Sequence, residues 1–177
     1  MDINYIYGDE FNNNLTGGSG RDFISGFDGN DILSGNGGRD TLHGGSGDDL
    51  LRGESGNDSL HGTGGGIDRM IGGSGSDNFY LGRTTFTNTN TTLINNTGTP
   101  FPNDYYREAN SHAVIEDFVK GEDLIRVRGS TSDYQITFDG IDGNVRTFIL
   151  HLQGNSDPLA YVRLENNNLD ISDLASA

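Results

Sequence analysis

Large apolar residues recur at a fixed step through the first half of the chain: Leu15, Ile24, Leu33, Leu42, Leu51, Leu60, Met70 and Phe79. The step is nine everywhere except between Leu60 and Met70, where one residue is added. Two positions before each stands a carboxylate or its amide: Asn13, Asp22, Asp31, Asp40, Asp49, Asp58, Asp68 and Asp77. The copies share the pattern G-G-x-G-x-D-x-U-x, where U is the apolar residue, as in GGSGRDFIS and GGSGDDLLR. Nine residues cannot bury a core alone, so a fixed period of this kind predicts units that stack. The final x-U-x suits a short strand whose central side chain points to one face. The glycine-rich first six residues suit a tight turn, because glycine adopts positive φ without a Cβ penalty.

Turn and strand repeated must coil, with the apolar column inside and the turns stacked along both edges. Two repeats then make one coil, and turns n and n+2 lie about 4.8 Å apart. The Asp22, Asp40, Asp58 and Asp77 turns fall on one edge, and the Asp31, Asp49 and Asp68 turns on the other. A column of carboxylates at that spacing repels unless a cation lies between them. The donors on offer are carboxylates and turn carbonyls, all hard oxygens, with no thiolate or imidazole among them. Such a set in flexible geometry suits calcium, whereas magnesium demands a stricter octahedron and keeps its waters.

Beyond Gly82 the pattern changes. Residues 84–99 are mostly Thr and Asn without an apolar period, and Pro100 and Pro102 follow, which reads as a long loop. From Ala113 strand-like runs appear, AVIEDFV, DLIRVR, DYQITF, NVRTFILHL and PLAYVRLE, separated by turn residues. The expected organisation is a parallel β-roll over 1–82, a Thr/Asn-rich loop over 83–112, and a small antiparallel β cap over 113–177. An open roll end needs such a cover. The fold class is all-β.

Composition narrows the functions. Acidic residues outnumber basic ones 26 to 11, for a formal charge of −15, and residues 1–82 hold 13 acids against 4 bases. Nucleic acid is disfavoured, since phosphate binding needs clustered Lys and Arg. No apolar run reaches transmembrane length, and MDINYIYGDE lacks the regions of a cleaved signal peptide. There is no cysteine, hence no disulfide or thiolate site. Neither a zinc-protease helix motif nor a nucleophile elbow is present, and eight equivalent carboxylates make a structural array rather than one catalytic pair. No enzyme is expected.

The repeats resemble the calcium-binding nonapeptide repeats of the RTX (repeats-in-toxin) family, which form parallel β-rolls. The resemblance implies that one turn supplies carbonyls at positions two and four with its Asp. The turn two repeats later supplies carbonyls one and three with its own Asp. One implied site joins Gly18, Gly20 and Asp22 to Gly35, Gly37 and Asp40. A second joins Phe27, Gly29 and Asp31 to Gly44, Ser46 and Asp49. Three more pair Asp40 with Asp58, Asp49 with Asp68, and Asp58 with Asp77. They draw in Gly26, Asp28, Asn36, Gly38, Gly45, Gly47, Gly53, Glu54, Ser55, Gly56, Gly62, Gly64, Gly72 and Ser74 from the turns. A sixth would join Asn13 to Asp31, but Phe11 stands at position four and Asn13 has no charge. The expectation is five or six calcium ions. VIEDFVKGEDLIRV also resembles the stretch that often follows the last RTX repeat; Asp117 and Asp123 there are turn residues or ligands of an added terminal site.

Family members of this type leave the bacterial cell through type I secretion machinery, so the resemblance implies a secreted, extracellular protein that folds on meeting calcium. The polar C-terminus NNNLDISDLASA is compatible with an uncleaved secretion signal. A second reading is a polysaccharide- or surface-binding module, for which Arg39, Arg52, Arg83, Arg126, Arg128 and Arg163 would have to line one face. His43 and His61, at position nine, are expected to stack one coil apart facing solvent. Ile32 and Leu50 should form an exposed apolar column, with Phe23 on the opposite strand.

Overall fold

The computed structural model describes residues 2–64, 66–81, 112–127, 130–152, 158–165, 169 and 171–176. The expected Thr/Asn-rich loop, Arg83 and Arg128, and much of the expected secretion signal lie outside them. Each repeat contributes one short strand. They are β1 (Asn4–Tyr7), β2 (Asn14–Thr16), β3 (Asp22–Asp28), β4 (Ile32–Ser34), β5 (Gly37–Gly38), β6 (Thr41–Ser46), β7 (Leu50–Gly56), β8 (Ser59–Gly62), β9 (Ile67–Ser74) and β10 (Asn78–Leu81). Further along come β11 (His112–Ile115), β12 (Leu124–Val127), β13 (Tyr134–Asp142), β14 (Val145–Leu152), β15 (Pro158–Glu165) and β16 (Leu174–Ser176).

Odd and even repeats sort into two sheets, as a coil of two repeats requires. One runs β1-β3-β6-β8-β10-β12-β16 and the other β13-β14-β15-β11-β9-β7-β4-β2. Neighbouring roll strands are parallel and eighteen residues apart, for example Ile24↔Leu42 and Leu33↔Leu51. Between them the position-eight side chains form the core: Ile24, Leu33, Leu42, Leu51, Leu60, Met70 and Phe79 are all 0% exposed. Leu15 and Ile6, at the first coil, are only partly buried because no further coil covers them. β5 pairs with β7 through turn residues, Gly37↔Ser55 and Gly38↔Gly56, so the turns stack as well as the strands.

The added residue changes neither edge nor register. Leu51 pairs with Met70 across it. Gly64 lies against Gly45 and Gly66 against Gly47, matching positions two and four. The excess is therefore taken up between Gly62 and Gly64.

The region after the repeats divides differently from a purely antiparallel cap. β13, β14 and β15 are antiparallel neighbours. β11, however, joins β9 and β15 in parallel, and β12 joins β10 and β16 in parallel. The roll's ladder thus runs past residue 82, and AVIEDFV stops being strand at Ile115 because the chain turns to re-enter the other sheet. Ile115, Ile125, Val127, Val162 and Leu164 extend the same core.

Candidate metal centres

Every strand of the roll begins at its aspartate, and these aspartates form two hydrogen-bonded ladders. Along one edge the backbone N–H of Asp22 donates to Asp40 Oδ1 at 2.8 Å, that of Asp40 to Asp58 Oδ1 at 2.8 Å, and that of Asp58 to Asp77 Oδ1 at 2.8 Å. Along the other, Asn13 donates to Asp31 Oδ1 at 2.8 Å, Asp31 to Asp49 Oδ1 at 2.8 Å, and Asp49 to Asp68 Oδ1 at 3.1 Å. Asp22, Asp31, Asp40, Asp49, Asp58, Asp68 and Asp77 are at most 2% exposed. The edge assignment expected from the period is the one observed.

The second oxygen of most of these carboxylates is left over. Oδ2 of Asp31, Asp40, Asp49, Asp58 and Asp77 is buried without a hydrogen-bond partner. A buried, unsatisfied charged oxygen is costly, and five in register require an explanation. Each faces the space beside the first glycine of its own turn. A Cβ on Gly35 would stand 2.5 Å from Asp40 Oδ2 and 2.9 Å from the Gly53 carbonyl. One on Gly53 would stand 2.5 Å from Asp58 Oδ2 and 2.6 Å from the Gly72 carbonyl. Glycine at position one therefore keeps open a space in which a carboxylate oxygen and a carbonyl of the next coil converge. Among the described residues no three His, Cys, Asp or Glu side chains converge on a possible metal position, so carbonyls must supply much of any donor set. The residues fit a hard, oxygen-loving cation.

Electrostatics point the same way. Burial pushes the Asp40, Asp58 and Asp77 carboxyls up to about 6 and Asp49 up to about 7, with the carboxylate one coil away adding to the rise. Asp31 is raised for the same first reason. The fold concentrates negative charge where only a cation or protons can relieve it.

The turn geometry explains the glycines. Position four takes left-handed φ in the interior turns, 123° at Gly38 and 143° at Gly56. Position two does so even without glycine: Phe27, Asn36 and Glu54 sit at 83°, 72° and 75°. The second repeat differs. Its Gly18 N–H donates to Asp22 Oδ2 at 2.7 Å, so this carboxylate has both oxygens satisfied. The first repeat behaves likewise, with Asp9 N–H donating to Asn13 Oδ1 at 2.8 Å.

Asp117 and Asp123 are separated by the fold. Asp117 accepts from Gly72 N–H at 2.9 Å and Gly73 N–H at 2.7 Å. Asp123 accepts from Asp77 N–H at 2.9 Å, which puts it on the ladder. It sits with Asp77, not Asp68.

A model of the RTX calcium-binding nonapeptide repeat, in four copies, matches residues 7–42, 34–66 and 63–83. Residues 7–83 are RTX calcium-binding nonapeptide repeats. The RTX region thus coincides with the two aspartate ladders. Solved structures resembling this chain include the AlgE6R3 subunit of the Azotobacter vinelandii mannuronan C5-epimerase, 22% identical, covering 95% of this chain and 80% of that one, TM-score 0.40. The extracellular lipase LipA of Serratia marcescens is 14% identical, covering all of this chain and 40% of the lipase, TM-score 0.33. This chain therefore spans less than half of that lipase. No curated protein matches the sequence.

Other side chains landed differently from expectation. His43 and His61 do stack, with ring centroids 4.2 Å apart, but His61 is only 3% exposed rather than solvent-facing. Phe23 and Tyr80 flank the pair, making a ring column that sequence spacing alone did not reveal. Burial pushes His43 down to about 4 and His61 well below its ordinary value. Ile32 and Leu50 pair in register as expected, Ile32 being 39% exposed. Arg52 on β7 and Arg163 on β15 belong to one sheet, Arg126 on β12 to the other, and Arg39 to a turn. The described arginines of the expected set form no continuous track.

Proposed function

We propose that this chain is a calcium-dependent folding module of a secreted protein, unfolded at cytosolic calcium and folded outside the cell. The observation that carries this reading is the row of buried, partnerless Oδ2 atoms on Asp31, Asp40, Asp49, Asp58 and Asp77. Calcium supplies the positive charge these oxygens lack. The ligands would be Asp22 and Asp40, Asp31 and Asp49, Asp40 and Asp58, Asp49 and Asp68, and Asp58 and Asp77, each pair with carbonyls from its two turns. Asn13 makes a weaker sixth pair with Asp31. Every interior aspartate then serves two sites, so binding at one turn orders the next. Chain segments this rich in glycine and acid cannot pay for ordering by apolar burial alone.

In this reading the repeats work as a switch for export by type I secretion machinery: a chain that stays unfolded passes a narrow channel, and millimolar calcium outside folds it. Extracellular calcium modules bind at about 10⁻⁴–10⁻³ M. Circular dichroism tests the reading. A coil-like spectrum in chelator, β structure in millimolar calcium and poor substitution by magnesium are expected; a full β spectrum in chelator would reject it.

A further inference from the structure

The coil continues beyond the eighth repeat. β12 pairs with β10 as Asn78↔Leu124, Phe79↔Ile125 and Tyr80↔Arg126, continuing the register of β10 on β8 at Asn78↔Ser59 and Phe79↔Leu60. Followed backwards in this register, Phe118–Arg126, FVKGEDLIR, fills positions one to nine of a repeat. Gly121 takes position four with φ 92°, the left-handed sign of Gly38 and Gly56. Asp123, 4% exposed, takes position six, and Ile125, 0% exposed, takes position eight. Val119 N–H donates to Asp123 Oδ2 at 2.8 Å, the same four-residue reach as Gly18 to Asp22. The Asp77–Asp123 bond is the next rung after Asp58–Asp77. Phe118 and Val119 in place of two glycines, and the long segment before them, hide this ninth turn from the repeat pattern.

We propose that the ninth turn completes a further calcium site with the Asp77 turn, outside the matched residues 7–83. The inference rests on the calcium reading of the repeats. Asp77 is 1% exposed, and its Oδ2 is buried without a partner although its Oδ1 is engaged by Asp58 N–H. That leftover oxygen needs a positive partner, and the repeats answer the same need with the following turn. Here the following turn is Phe118–Asp123. Asp77 and Asp123 are the carboxylate ligands. Each oxygen of Asp123 accepts one N–H and keeps a second lone pair, as the ladder Oδ1 atoms do. Asp117 stands off the ladder; its two bonds to Gly72 and Gly73 hold the Asp77 turn in place. Lys120, the base within the ninth turn, reaches Asp173 at 3.3 Å. Burial, with Asp77 and Asp117 close by, pushes the Asp123 carboxyl up to about 6.

The test is to count calcium ions per full chain at saturation by native mass spectrometry, with circular dichroism confirming β structure. Asp123→Asn should hold one ion fewer than the unaltered chain, and Asp117→Asn the same number with a raised calcium midpoint. An unchanged count in Asp123→Asn overturns the site, as does an ion lost from Asp117→Asn alone. If Asp123→Asn does not fold, crystals of the unaltered chain grown with terbium in place of calcium decide. An anomalous peak between Asp77 and Asp123 supports the site, and peaks along the repeats with none there overturn it. Absence of bound ions from every turn overturns the reading of the repeats as well, so the two failures are distinguishable.

Discussion

At Gly56 the backbone φ is 143°, and a Cβ there would run into the carbonyl of Gly38 one coil away. Gly20 occupies the same position of its repeat, yet a Cβ on it would meet nothing within 4 Å. Gly56→Ala should therefore lose about 2–3 kcal/mol from backbone strain alone, before the clash is counted, while Gly20→Ala should stay within about 1 kcal/mol. Thermal melts in saturating calcium would show it, and equal shifts would count against the turn geometry. Aspartates can be ranked in the same way. Asp49 accepts from Asp31 and donates to Asp68, so its loss removes a carboxylate from two proposed sites. Asn13 is neutral and lies at the end of its ladder. Asp49→Ala should raise the calcium midpoint about tenfold, equivalent to about 1.4 kcal/mol, and lower the Hill slope. Asn13→Ala should titrate close to the unaltered chain. Similar titrations for the two would sink the shared-ligand arrangement.

A single strand of the roll has little stability of its own: β4 is three residues long and its one inward side chain is Leu33. Stability comes from stacking, so the cost of a core truncation depends on place in the stack. Leu51 pairs with Leu33 on one side and Met70 on the other, and is 0% exposed. Leu51→Ala should lose about 2–5 kcal/mol, as truncation of a fully buried leucine does. Leu15 has a neighbouring strand on one side and is half-buried, so Leu15→Ala should cost clearly less. Calcium-saturated denaturant titrations of both variants would check the order. At this scale the sequence was most legible in the repeats, where period, polarity and turn chemistry agree. It was less legible after them. The run AVIEDFV was read as one strand, yet its second half is the start of a turn, because pairing with β9 ends at Ile115.

For the molecule as a whole, pH and calcium act on the same groups. In the ion-free fold Asp40, Asp58, Asp77 and Asp123 titrate near 6 and Asp49 near 7, well above the ordinary 3.8. Between about pH 4 and 7 the fold therefore holds more protons than the unfolded chain, and its stability falls as pH rises through this window. His43 and His61 act in the opposite sense, since their lowered values mean that acid must charge buried rings. The carboxylates outnumber them. In chelator, lowering pH from 8 to 5.5 should raise β content, whereas in limiting calcium the same change should weaken calcium binding as protons compete. Circular dichroism at fixed free calcium across this range would check both signs; a chelated chain indifferent to pH would show that the carboxylates are not buried as described.

The nine-residue period by itself determined the coil, the two edges, the inward column from Ile24 to Phe79 and the choice of calcium. These follow from local facts: where apolar side chains recur, which residues tolerate positive φ, and which oxygens lie within one strand spacing. Tertiary structure decided what depends on residues far apart in the chain. It set Asp123 on the Asp77 rung across 46 residues, which no local pattern at Phe118–Val119 announces. It separated the roles of Asp117 and Asp123, one tying turn amides and the other joining the ladder. It buried the His61 ring, which position nine alone would leave in solvent. The physical reason is the same each time. Period fixes a residue's height and face within its own coil, whereas its partners depend on the segments that fold back against that coil.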